Sequence, residues 1–99
     1  MSDRNVYLYI LHCSDGSYYV GVTRRSLEER VGEHNAGLVR GYTVGRRPVR
    51  LVFSEAFSRI DDAAAAERQV KGWSRVKKEA LISGRLDLLP NLARCRSRA

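Results

Sequence analysis

Val6 to His12 (Val-Tyr-Leu-Tyr-Ile-Leu-His) is rich in β-formers and apolar at almost every position. It predicts a strand buried on both faces. Ser14-Asp15-Gly16-Ser17 follows, a run of turn formers whose Asp-Gly pair is a strong hairpin signal. Tyr18 to Val22 is then the return strand, and Gly21 inside it marks a bulge or a close approach by a ligand or backbone. Further on, Val49, Leu51 and Phe53 alternate with Arg50, Val52 and Ser54, which predicts a third strand over 49–57.

Between and after these strands the period changes to that of a helix. Ser26 is followed three residues later by Glu29, a capping box, so a helix opens there, runs to about Ala36 and stops at Gly37. Leu27, Val31 and His34 fall on its inward side, and Arg30 and His34 are neighbours four apart. Ser58 or Asp61 opens a second helix from about Ile60 to Lys71, whose four consecutive alanines permit close packing onto a sheet. Ser74 caps a third over Arg75 to Ile82, with Gly84 past its end. Gly37 to Pro48 is left as a long loop rich in glycine and arginine, a length usually reserved for function or disorder.

The order β-β-α-β-α-α predicts an α+β fold, an α/β sandwich-like packing of a small three-stranded antiparallel sheet flanked by helices. Residues 1–84 are read as one domain. Residues 85–99, where Arg94, Arg96 and Arg98 alternate with small residues, are read as a flexible basic tail.

Composition narrows the partners. The 99 residues carry 18 lysines and arginines against 11 acids, for a formal charge of +7. Fifteen of the eighteen are arginine, which favours bidentate phosphate contact over mere solubility. Nucleic acid is therefore the expected partner; a membrane is not, because no basic amphipathic helix with large apolar residues stands out. Cys13 and Cys95 form no CxxC and have no histidines at zinc-site spacing, so neither a metal cluster nor a disulfide framework is expected. With no apolar N-terminal stretch, the expected location is the cytoplasm.

Three features carry chemistry. Tyr7-Leu8-Tyr9 and Tyr19-Val20-Gly21 sit ten residues apart on the paired strands. Arg30 offers a planar fork of donors suited to a phosphate whose charge rises in a transition state. Glu67, inside the alanine-rich helix, projects close to the face that meets the sheet and needs a cation, an arginine or water. Each has a plainer explanation: packing tyrosines, an exposed i, i+4 pair, a salt-bridged helix glutamate.

Their order and spacing resemble the GIY-YIG nuclease family, and in particular its small single-domain bacterial group. The resemblance rests on the two tyrosine motifs, on Arg30, His34 and Glu67, and on the strings Tyr-Ile-Leu-His-Cys-Ser-Asp-Gly-Ser, Glu-His-Asn-Ala-Gly, Tyr-Thr and Arg-Arg-Pro-Val. Tyr7 stands where the first motif has glycine, and Val22 where some relatives have a basic residue that Arg24 or Arg25 could replace. The resemblance implies a phosphodiester-cleaving endonuclease acting on DNA with Mg²⁺ or Mn²⁺ held by Glu67. Arg30 would neutralise phosphate charge, and Tyr9 or Tyr19 would orient or deprotonate the attacking water. His34 would bind phosphate or act as an acid. Tyr42, Thr43, Arg46 and Arg47 in the loop, with Lys71, Lys77 and Lys78, are the expected substrate contacts. The alternative is a non-catalytic or weakly catalytic DNA- or RNA-binding module on the same basic surface. A carboxylate facing a polyanion argues against it.

Overall fold

In the computed structural model, which describes residues 5–86, the hairpin forms where its turn chemistry places it. Asp15 Oδ1 accepts the Ser17 backbone N–H at 3.0 Å, Gly16 takes a φ of +86°, and the Cys13 N–H donates to the Ser17 carbonyl at 2.8 Å. The turn joins β1 (Val6–His12) to β2 (Tyr18–Thr23) in an antiparallel pair. After α1 (Leu27–Asn35) and the long loop, β3 (Arg50–Phe57) pairs antiparallel with the other edge of β1, giving the strand order β2-β1-β3. The chain closes with α2 (Ile60–Lys71) and α3 (Arg75–Ile82). This is the α+β, β-β-α-β-α-α arrangement expected from the sequence.

The local signals act as their chemistry requires, with two corrections. Ser26 accepts from Glu29 N–H at 3.1 Å and Ser74 from Lys77 N–H at 3.2 Å, so both serine caps are real. Gly37 (φ +78°) and Gly84 (φ +82°) turn the chain away after α1 and α3. Neither Ser58 nor Asp61 caps α2, however; Arg59 occupies that position without a side-chain cap. The chain leaves β3 only two residues earlier, so the tight connection sets the start. Asp61 and Asp62 in the first turn then complement the helix dipole. β3 also begins at Arg50 instead of Val49. Asn35 bonds both backbone groups of Val49, at 2.7 and 3.0 Å, which occupies what the ladder would use. The basic tail over 85–99 lies outside the described residues, apart from Arg85 and Leu86.

β1 is the middle strand, and its alternation splits the core in two. Val6, Leu8 and Ile10 face α2 and α3, packing with Val20, Phe57, Ala63, Ala66, Val70 and Leu81. Tyr9 and Leu11 face the other way, packing with Cys13, Val49, Tyr19, Leu27 and Val31 on the α1 side. Leu8, Ile10 and Leu11 are fully buried, each stabilising the fold by about 1.5–3 kcal/mol. Cys13 is a buried free thiol in the second layer. Opposite β3, the ladder shifts register between Ile10 and Leu11, with Val52 as the extra residue.

The register sets Tyr9 directly opposite Gly21. The tyrosine side chain lies over the glycine so closely that an added Cβ would stand 2.6 Å from the hydroxyl and 2.7 Å from Cζ. Gly21 is thus a close-approach position, but what approaches is a side chain instead of the expected ligand or backbone, and the bulge lies elsewhere. Gly32, in α1, differs: an added Cβ there meets nothing within 4 Å. Thermal denaturation should therefore separate the two. Gly21→Ala is expected to destabilise by about 1–3 kcal/mol through overpacking, and Gly32→Ala to stabilise by up to about 1 kcal/mol through helix propensity. Equal effects of the two would refute this account of position 21.

Candidate active site

Odd positions of β1 and β2 share the face toward α1, which places Tyr9 and Tyr19 side by side with ring centroids 6.3 Å apart. α1 lays His34 against both rings, at 5.8 and 5.1 Å and roughly edge-on. His34 Nε2 lies 3.0 Å from the Tyr9 hydroxyl oxygen, and Arg30, one turn earlier, donates Nε–H to the same oxygen at 3.3 Å. On the other side of the imidazole, Nδ1 lies 2.7 Å from Thr43 Oγ1. The long loop thus returns to the helix through a buried side-chain bond. It also covers Tyr19: Tyr42 stacks on that ring at 6.0 Å, and the Arg46 guanidinium sits 3.9 Å over Tyr42. Arg46 is held by Asp15 at 2.9 Å and by the Tyr42 carbonyl at 2.8 Å, which ties the loop to the hairpin turn.

The electrostatics follow from this packing. Burial pushes the Tyr9 phenol above its ordinary value, against the hydrogen bond from Arg30, and the charges of Tyr19 and Glu67 push the same way. Burial, and then the positive charge of Arg30, hold His34 below the usual histidine value, so it is neutral at pH 7. The hydrogen bond to Tyr9 raises Arg30, which stays charged. Glu33 joins Arg30 at 2.9 Å and Arg25 at 2.7 Å, and the Arg30 hydrogen bond is the main cause of its lowered pKa.

Of the residues singled out in the sequence, Tyr9, Tyr19, Arg30, His34, Tyr42, Thr43 and Arg46 come together. Glu67 belongs to α2, on the opposite layer, yet it lies close enough for its charge to act on Tyr9. Its ion-pair partner is Lys71 at 3.1 Å. Thr43 was expected to touch substrate, but it is 1% exposed and its hydroxyl is spent on His34. Arg24 is exposed near the start of α1, and Arg25 is tethered by Glu33. Arg47 bonds the carbonyls of Val44 and Asn35 and lines an open depression of about 550 Å³ with Asn35, Val44, Gly45 and Pro48. Neither phenol lines it. Lys77, stacked on Trp73 at 4.6 Å, and Lys78 belong to α3, on the layer away from the phenols. Sequence reasoning gave Glu33 and Asp15 no part in holding the site. Glu33 was findable as the i+3 neighbour of Arg30, whereas the Asp15–Arg46 pair joins segments 31 apart and leaves no local signal.

Comparisons with known proteins bear on the fold and on the family. The model of the GIY-YIG catalytic domain matches residues 5–80. A UPF0213 protein of Halobacterium salinarum is 45% identical over 77% of this chain and 97% of its own length. One from Streptococcus pneumoniae is 38% identical over 86% of this chain and 85% of its own. The solution NMR structure of a UPF0213 protein from Bacillus halodurans superposes with a TM-score of 0.53 at 46% identity, covering 80% of this chain and 83% of that one.

The buried neutral histidine makes stability depend on pH. His34 has its ordinary value of 6.5 in the unfolded chain and a lower one when folded, so the unfolded state binds the extra proton first as pH falls. Its contribution is complete above about 6.5 and is lost as pH drops through the folded value. Chemical denaturation should show a flat midpoint above neutrality and a decline beginning below about pH 6.5, before carboxylates titrate. The decline should be much reduced in His34→Gln; an unchanged slope there would assign it to another group.

Proposed function

The chain belongs to the GIY-YIG catalytic-domain family, a nuclease family, and on that premise we propose that it is a divalent-metal-dependent endonuclease hydrolysing phosphodiester bonds in DNA. The observation that carries this reading is the Tyr9 hydroxyl, held by Arg30 at 3.3 Å and His34 at 3.0 Å beside a second phenol. The Arg30 N–H aimed at the phenolic oxygen stabilises its phenolate, in addition to the one partner that a buried packing tyrosine needs for its hydroxyl. Tyr9 is the base in this scheme. The Tyr19 hydroxyl, which has no hydrogen-bond partner among the described residues, orients the attacking water. Arg30 uses Nε on Tyr9 and Nη1 on Glu33, leaving Nη2 for a phosphate oxygen as charge builds on it. Tyr42 and Arg46 are the substrate contacts beside the phenols, and Arg24, Arg25 and Arg47 serve a strand that extends beyond them. Lys71 stands beside Glu67, and Lys77 and Lys78 serve only a strand that continues onto the α3 layer.

Mg²⁺ or Mn²⁺ is the cofactor of this reading. Among the described residues no three or more His, Cys, Asp or Glu side chains form a cage. That donor set fits a hard ion kept by one carboxylate, water and a substrate phosphate, and does not fit a zinc cage. Glu67, 25% exposed, is the residue that would hold it in exchange for Lys71. When bound, the ion polarises the phosphate and stabilises the leaving oxygen. The domain of the reading is residues 1–84, with 85–99 an added basic tail, and its DNA substrate and free thiol fit the cytoplasm. No helix among the described residues is long and apolar enough to cross a membrane.

A non-catalytic nucleic-acid-binding role draws its support from the Lys71–Glu67 pair, which neutralises the carboxylate in the free protein. Labelled single-stranded and duplex DNA, incubated with each metal and with a chelator, separates the two. Cleavage is expected only with Mg²⁺ or Mn²⁺. Glu67→Ala should lower turnover at least about 100-fold while retention on DNA changes little, and Arg30→Ala should lose more turnover than affinity. Intact substrate under every metal, with ordinary retention, would establish the binding role instead.

A further inference from the structure

The side chains of Tyr42 and Arg46 are not what fastens the long loop. Thr43 secures it to α1 through His34 at 2.7 Å, and Asn35 holds Val49 at its far end by two bonds. The Arg46 backbone is itself fixed: its N–H donates to the Thr43 carbonyl at 3.0 Å, and its carbonyl accepts from the Ser14 N–H at 2.9 Å. The loop is thus joined to helix and hairpin before either side chain is counted. Yet Tyr42, 39% exposed, lies on Tyr19 with the ring planes 25° apart, and the Arg46 guanidinium lies on Tyr42. At 3.9 Å from the ring centre the guanidinium carbon is itself in contact, so the group rests on its face. A nitrogen leading end-on would hold that carbon farther away.

The edges of this guanidinium are largely spoken for in the free protein. Its single Nε–H goes to Asp15 and Nη1 donates to the Tyr42 carbonyl, which leaves Nη2 without a partner among the described residues. The Asp15 carboxylate answers the charge, and the two bonds stop the plane from turning. A lysine would carry the same charge without a plane. What the residue offers outward is a fixed flat surface, on a side chain 38% exposed, and among the described residues Tyr42 is the one ring it covers. Nucleobases are the flat groups that stack on arginine and tyrosine, and a chain of net charge +7 attracts the strand that bears them.

We propose that the Tyr19–Tyr42–Arg46 stack is a nucleobase platform, on which an unpaired base of the bound strand lies against the Arg46 guanidinium as the next layer. Arg46 then meets the substrate with its face, where a phosphate contact would use its edge. A base inside a duplex has both faces taken by its neighbours, so only an unpaired or displaced base can seat there. The stack begins at Tyr19, beside Tyr9, and a base at its outer end therefore holds the strand next to the phenols. This stacking deepens the nuclease reading, on which it rests for the choice of DNA; seating a base requires no cleavage.

Fluorescence anisotropy of the full chain with labelled single-stranded DNA, in chelator so that nothing is cut, tests the platform. Two strands of equal length and equal phosphate charge are compared, one with its bases and one built of abasic nucleotides. The wild type is expected to bind the base-bearing strand about tenfold or more tighter. Arg46→Lys should lose about tenfold on that strand and stay within about twofold on the abasic one. Equal affinity of the wild type for both strands would overturn the proposal, and so would an unchanged preference, or an equal loss on both strands, in a folded Arg46→Lys. Should the variant not fold, a single 2-aminopurine in an otherwise abasic strand decides. Its emission should fall when saturating wild type binds, and unchanged emission would overturn the platform. A preference for bases in a wild type that cuts nothing with Mg²⁺ or Mn²⁺ would support the platform and sink the nuclease reading. Cleavage with equal affinity for the two strands would do the reverse.

Discussion

The arrangement depends on a missing side chain. Tyr9 reaches Arg30 and His34 only by lying across Gly21, where any Cβ would stand 2.6 Å from its hydroxyl. The antiparallel register sets the two residues opposite one another, and the hairpin turn sets the register. Asp15 and Gly16, at the turn, therefore decide where the phenol points. The middle strand makes the same choice from the other side. Its even residues are claimed by α2 and α3, which leaves the odd ones, Tyr9 among them, for α1.

Charge is handled by local pairing. Glu33 is shared by Arg25 and Arg30, Lys71 covers Glu67, and Asp15 holds Arg46. All are at least partly exposed, so solvent screens them and they add little to stability. They hold the side chains in place without binding them tightly, so a polyanion can compete for the arginines and a cation for Glu67. His34 takes no part in this exchange, because burial keeps it neutral and its two nitrogens are already committed.

How much of this could be read from the chain follows from the range of each interaction. The caps at Ser26 and Ser74, the Asp-Gly turn and the three strands are local signals, and they fall where the sequence puts them. The α2 cap failed because a short connection from β3 overrode a local preference. Tyr9, Tyr19, Arg30 and His34 were legible as a set because two of them share a helix face and two share a hairpin. Thr43 was not. A threonine between Tyr42 and Arg46 in an arginine-rich loop looks like surface, and only the loop's return onto α1 buries it. Lys77 and Lys78 stand on the α3 layer, which charge alone could not foretell, since it carries no information about which layer a helix joins.

A neutral His34 also decides what the fixed charges must do. Among the described residues Arg30 is the only full cation bonded to the Tyr9 oxygen, and in the free protein burial outweighs it, so the phenol stays protonated. An approaching phosphate brings negative charge and strengthens that hold on the proton. Loss of the proton therefore requires positive charge beyond what the resting protein places in contact with Tyr9. A phenol buried this way cannot act as a base by itself; it becomes one only when the groups around it are rearranged by what binds. For Tyr9 as the base proposed above, burial would then be what couples the chemistry to the arrival of the other components.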